Sequence, residues 1–299
     1  MNQKELESFF RRKPKLQSLV KPFYSALKKV CKDYPKEEEK IANEKGRVCL
    51  LLNLNGKSII MEKVGVYRSE NTGGSDVKFR CCSLVEDIAF KLGPIGVFFD
   101  SYYDNSLGVI TFPYNSDRDS VYINGYELPD FYTRFWWTHE PPELWIPDYG
   151  LLLKKNRTET NDGLISAMER VANSYNGGNF ELSKSTLAVC LIETGFKDRD
   201  FDDTDTISEI RKFLQNTENL PIFWQFICAC DHKTTAEIKE IVLSGGWQVS
   251  GINRGFIDLN DLQEDSSDGF FSRFLGSDLN TNFYRQLLEG YVSWHERFW

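Results

Sequence analysis

Three groups of side chains in this sequence have types and spacings that could do chemistry. The first is the acidic run from Asp198 to Glu209. Counted from Asp198, the carboxylates Asp198, Asp200, Asp202 and Glu209 fall at positions 1, 3, 5 and 12, the ligand spacing of a calcium-binding loop. The match breaks where such a loop tolerates least. Position 6 is Asp203 instead of glycine, and position 8 is Asp205 instead of an apolar residue. Helix capping demands less: Thr206 and Glu209 have capping-box spacing, and carboxylates ahead of a helix favour its positive end. The run is therefore read as the approach to a helix. Its four well-spaced carboxylates are the metal ligands of the alternative reading.

The second group is Cys228, Cys230 and His232, which would share one face of a strand running through all three. Two thiolates and an imidazole can begin a zinc site, with Cys190 as a distant fourth ligand. Closed zinc sites, however, use Cys-x-x-Cys knuckles or clustered histidines, and the chain has only His139, His232 and His295. Cysteine in an apolar strand serves as a small hydrophobe, which is the reading kept; the adjacent Cys81-Cys82 offers less still. Gly56-Lys57-Ser58 lacks the leading glycine of a phosphate loop, since Leu51 stands in that place. No G-x-S-x-G, H-E-x-x-H or G-x-G-x-x-G pattern occurs. Neither a catalytic residue nor a cofactor is assigned from the sequence, and it leaves open whether the chain is an enzyme.

The third group is cationic. Residues 2–36 hold ten basic side chains against three acidic ones, a net +7, while the rest holds 26 against 41, a net −15. Leu16, Leu19, Val20, Phe23, Tyr24, Leu27, Val30 and Cys31 recur at helical spacing, with Lys21, Lys28, Lys29 and Lys32 off that stripe. A basic amphipathic helix can dock in a partner's groove, lie on an anionic surface, or pack on its own acidic body. Pro22 predicts a kink or a fresh helix start. The polar run Lys36–Lys40 predicts a solvated end to this region.

These residues need elements to position them. The chain has 299 residues, 41% hydrophobic and 27% charged, with net charge −8, which fits a globular protein and excludes a disordered or fibrous one. No apolar run is long enough for a membrane helix, the charged start does not read as a secretory signal, and seven scattered cysteines suit a reducing compartment. A cytoplasmic location is expected. The pattern predicts an α+β fold in three regions: a basic helical segment (1–46), a β-rich region ending in an aromatic joint (47–150), and an α/β region (151–299). Val48–Leu54 and Ser58–Tyr67 around Asn55-Gly56 read as a hairpin. Ser83–Lys91 reads as a short helix stopped at Gly93-Pro94, with Gly96–Phe99 a strand. Residues 129–150 are rich in aromatics and prolines and read as an irregular joint. Further on, Asp162–Ser174 and Thr206–Leu214 read as helices, while Ser185–Thr194 fits either element. A strand at Pro221–Cys230, a helix at Thr235–Leu243 capped by Thr234 and Glu237, and a return strand at Trp247–Ile252 form one unit. Asn282–Phe298 reads as a terminal helix.

Taken together, these features suggest a cytoplasmic binding or regulatory protein of the immunity- or defence-accessory type. Its partner-contacting residues would be Arg11, Arg12, Lys13, Lys21, Lys28, Lys29 and Lys32, with Trp136, Trp137 and Trp145 as aromatic anchors. Another protein is the expected partner, with nucleic acid second and self-association compatible. The alternative is a metal-dependent hydrolase, of which a nuclease is one form, built on the Asp198–Asp205 cluster with the basic head steering an anionic substrate.

Overall fold

A computed structural model of the chain describes residues 1–53, 59–60, 67–68, 75–81, 83–100, 106–112, 121–123, 126–128, 132–136, 143–146, 163–176, 182–193, 204–243, 252–262 and 277–299. Three helices lead: α1 (Gln3–Phe9), α2 (Pro14–Val30) and α3 (Glu37–Glu44). Then come β1 (Arg47–Asn53), β2 (Ile59–Ile60), β3 (Tyr67–Arg68), β4 (Ser75–Cys81), α4 (Ser83–Phe99) and β5 (Ser106–Phe112). The short strands β6 (Val121–Ile123), β7 (Tyr126–Leu128), β8 (Tyr132–Trp136) and β9 (Glu143–Ile146) follow. The remainder alternates: α5 (Leu164–Asn176), β10 (Thr186–Ile192), α6 (Thr204–Asn216), β11 (Ile222–Cys228), α7 (His232–Leu243), β12 (Arg254–Asp258) and α8 (Ser277–Phe298).

Five strands run parallel in the spatial order β5-β1-β10-β11-β12. Antiparallel β8, β9 and β4 extend the β5 edge, and β2 and β3 pair with β4. In chain order the parallel strands stand 2-1-3-4-5, a doubly wound arrangement with helices on both faces. Residue alternation explains the two faces. Val48, Leu50, Leu52, Leu187, Val189 and Leu191 join α2, α4 and α8 in one core. Cys49, Leu51, Ala188, Cys190 and Ile192 join α5, α6 and α7 in the other. Buried on both faces, β10 and β11 read as continuous apolar runs, which is why Ser185–Thr194 resolves as a strand.

The expected mixture of helices and strands is present, and the parallel sheet gives it a mixed α/β arrangement. That sheet also removes the hairpin at 48–67: β1 is flanked by β5 and β10, both parallel, and β2 pairs with β4. Asn55-Gly56 lies outside the described residues. β1 sits between strands drawn from the second and third sequence regions, and the first region packs into the same core.

Other expectations change too. α4 runs through Gly93-Pro94 to Phe99, so Gly96–Phe99 is helix. Leu92, Ile95, Val97, Phe98 and Phe99 are all buried, and that burial outweighs one lost backbone hydrogen bond at Pro94. α2 likewise runs unbroken through buried Pro22. Lys36–Lys40 opens α3, with Glu37 buried beside His295. The joint at 129–150 contains β8 and β9, which pair within the sheet. After α7 the chain returns to the sheet as β12, parallel to β11, while Trp247 to Gly251 of the expected return strand lie outside the described residues. The strand–helix–strand unit itself is β11–α7–β12.

Candidate functional site

Connections leave β1 and β10 in opposite directions. From β1 the chain reaches β5 through α4 on one face; β10, β11 and β12 are joined through α6 and α7 on the other. In such sheets ligands sit beyond the carboxyl ends of the strands at this switch point, where diverging loops leave a crevice. Here those ends are β1 at Asn53, β10 at Ile192 followed by Glu193, β11 at Cys228 and β12 at Asp258. Asn53 and Glu193 are buried polar side chains at that rim.

Around β11 the rim is closely bonded. The Ala229 amide donates to the Ile192 carbonyl at 2.8 Å, and the Leu259 amide donates to the Cys228 carbonyl at 3.0 Å. The Asn260 side-chain amide donates to the Cys230 carbonyl at 2.8 Å, and its backbone amide donates to Asp258 Oδ1 at 2.8 Å. Asp231 then caps α7. It accepts from the Thr234 backbone amide at 3.0 Å and from the Thr234 hydroxyl at 2.8 Å. These bonds favour the carboxylate and hold the Asp231 pKa below its usual range. The cap is thus Asp231, three residues before its Thr234 partner, which corrects the expected Thr234–Glu237 box.

Cys228 and Cys230 are buried on this rim. Cys228 Sγ is 3.4 Å from Thr235 Oγ1, and the Cys230 thiol donates to the Ile192 carbonyl at 3.7 Å. His232 does not join them. β11 stops at Cys228, His232 begins α7, and its side chain is exposed, so strand alternation fails. Cys190 is buried in the same core. Among the described residues no three His, Cys, Asp or Glu side chains converge as metal ligands. Of the acidic candidates, Glu209 is exposed on α6, while Asp198, Asp200 and Asp202 lie outside the described residues.

The cationic candidates occupy the helical layer over the other core. Leu16, Leu19, Val20, Phe23, Tyr24, Leu27 and Val30 of α2 are buried against α4 and α8, so that apolar stripe cannot dock in a partner's groove. Arg11, Arg12, Lys21, Lys28, Lys29 and Lys32 are exposed, and Lys13 is half-buried, where desolvation lowers its pKa. None of the six exposed cations forms an ion pair with a described residue. Trp136 lies on β8 and Trp145 on β9, directly across from Arg134 in register. Trp137 lies outside the described residues.

A groove of about 590 Å³ lies beside the packed α2 and α8, with Lys29, Asp33, Tyr34, Arg285, Glu289 and Trp294 among its walls. Deeper in this layer, His295 is fully buried between two carboxylates. Its Nδ1 is 2.6 Å from Glu37 Oε2 and its Nε2 is 2.8 Å from Glu44 Oε2, tying α3 to α8. Lys91 of α4 is buried on the Asp87 carboxylate one turn earlier.

Sequence reading passed over the rim residues Asn53, Glu193, Asp258 and Asn260. The available signal was a polar residue closing an apolar run, as Asn53 closes Val48–Leu52 and Glu193 follows Thr186–Ile192. That signal gains meaning only once β1 and β10 are known to be neighbours. No helix among the described residues is long and apolar enough to cross a membrane. No family model matches the chain, and no curated protein aligns significantly with it.

Proposed function

We propose that the protein is a binding or regulatory protein whose face of Arg11, Arg12, Lys21, Lys28, Lys29 and Lys32 contacts the acidic surface of a partner protein. The observation that carries this reading is that these six cations are exposed and unmatched by any described carboxylate. Cations serving to neutralise the chain's own acidic remainder would be paired with it. Lys21 and Lys28 follow helical spacing on α2, whose opposite stripe is buried, so these charges are held on a stiff base, with Lys32 in the turn just beyond it. Exposed charges of this kind act mainly on association rate and partner choice. A protein suits this face better than a polyanion, because 41 carboxylates elsewhere would repel a long phosphate backbone at low salt.

The test replaces Lys21, Lys28, Lys29 and Lys32 together with Glu and compares both full-length chains as bait in an extract of the source cells. A protein retained by the wild type, released by salt and lost with the variant is the expected result. Identical retention by both chains refutes the reading, and retention abolished by nuclease transfers it to nucleic acid.

The hydrolase reading has one observation in its favour: the Asp198–Asp205 run follows β10, whose carboxyl end lies at the switch point. A metal bound there by the native chain raises the melting temperature by mass action. Magnesium, calcium and zinc titrated against a chelator-treated sample test this, and an unmoved melting temperature removes the reading.

A further inference from the structure

We propose that the groove beside α2 and α8 binds a small zwitterion, a molecule that carries an ammonium, a carboxylate and an apolar body, as free amino acids and short peptides do. Its volume of about 590 Å³ falls inside the range of roughly 300–1,000 Å³ typical of small-ligand sites. Two walls face it: the end of α2 with the turn that follows, and one side of α8.

Each wall carries one charge of each sign. On the α8 wall, Arg285 and Glu289 are paired at 3.5 Å, and Arg285 also donates to Asn282 Oδ1 at 2.9 Å. On the α2 wall, Lys29 and Asp33 are both exposed, and neither forms an ion pair with a described residue. An ammonium and a carboxylate left to solvent beside one groove fit a ligand bearing the reverse pair. The ligand's carboxylate accepts from Lys29 Nζ, and its ammonium donates to Asp33. A simple anion would meet Asp33 and Glu289, and a simple cation would meet Lys29 and Arg285, so the groove selects against either alone. Lys29 also belongs to the cationic face described above, whereas Asp33 does not, which keeps the two readings separable.

Between the charges, Val30, Ile252 and Trp294 supply the apolar surface for the ligand's body. These walls are extensions of the core. The Trp294 ring lies 5.7 Å from Phe223 and 5.8 Å from Tyr291, both fully buried. At Gly290 a methyl group would come within 2.9 Å of the Phe223 ring, so α8 is seated directly on the sheet at this point. The Asp33 amide donates to the Val30 carbonyl at 3.3 Å and the Tyr34 amide to the Cys31 carbonyl at 3.1 Å, which fixes the turn that presents Asp33. Walls already held by packing and hydrogen bonds need little ordering when a ligand enters.

The test is calorimetric titration of the full-length chain with L-phenylalanine, L-leucine and the dipeptide L-leucyl-L-phenylalanine. N-acetyl-L-phenylalanine, which lacks the ammonium, and L-phenylalaninamide, which lacks the carboxylate, serve as half-charged analogues. Saturable one-to-one binding of a zwitterion is expected, with both analogues weaker by about tenfold or more. Binding of a free amino acid assigns the site to that source, and binding of the dipeptide alone assigns it to peptides. Asp33→Asn should weaken the zwitterion about tenfold without moving the melting temperature, because the side chain is exposed. Capture of a partner by the cationic face should survive in that variant. Ser293→Trp, which places a ring in the groove, should abolish binding. No binding by any of the three zwitterions, analogues that bind as well as they do, or unchanged binding in Asp33→Asn overturns the proposal.

Discussion

Lys91 is a charged side chain at 1% exposure in the middle of α4, and its titration provides a quantitative test of how the helical layer is packed. Its ammonium contacts the Asp87 carboxylate and lies 5.3 Å from the centre of the Phe283 ring. Burial is the dominant influence and lowers its pKa from 10.5 to about 8, although Asp87 pulls it upward. Between those values the unfolded chain keeps a proton that the native chain has released. Stability therefore rises with pH across this window and receives no pH-dependent contribution from Lys91 below it. The interval from 8 to 10.5, at about 1.4 kcal/mol per decade, amounts to a gain on the order of 3 kcal/mol. Lys91→Met removes the titrating group while keeping an unbranched chain of similar length. It also leaves Asp87 without its cation, but that penalty is constant in this alkaline range, so the slope is diagnostic. Urea unfolding of both proteins from pH 7.5 to pH 10.5 should show the wild type gaining on the variant by this amount. A difference that stays flat across the range would refute the burial of a charged Lys91.

Trp224 is fully buried in β11, with its indole nitrogen donating to Thr217 Oγ1 at 3.2 Å and its ring edge-on to Phe213 at 5.6 Å. Trp224→Ala should cost about 3–5 kcal/mol in urea unfolding, and a loss under about 1 kcal/mol would contradict that packing. At Gly255 a methyl group would lie 2.6 Å from Gln225 Oε1 and 3.2 Å from the Phe223 ring. Gln225 is itself fully buried, so Gly255→Ala should lower stability by about 1–3 kcal/mol, measured the same way. Tyr291→Phe removes a buried hydroxyl 2.7 Å from Ser185 Oγ and should cost about 1–2 kcal/mol.

The cases where sequence and structure diverge share a cause. Pro94 and Gly93 carry a local stop signal, yet α4 continues because the residues beyond them are apolar and a core is waiting on the far side. Asn55-Gly56 suggests that β1 turns back on its neighbour, but β1 is buried between two parallel strands contributed from far along the chain. Cys228 and His232 alternate in sequence as ligands on one strand would, and the strand ends before His232. In each case a local pattern gave one answer and long-range burial another. The basic helix shows the converse. Its apolar stripe was legible residue by residue, whereas its use inside the molecule, instead of on a partner, was not.

Short-range physics is written in the chain itself. The helical stripe of α2, the strand β11 with helix α7 after it, the apolar run of β10 and the separation of positive head from negative remainder all follow from residue spacing and charge. Strand order does not, because hydrogen bonding between parallel strands fixes no sequence distance. Which strand ends meet at the rim and which cations stay solvent-facing were therefore decided only when the sheet assembled and its two faces were buried.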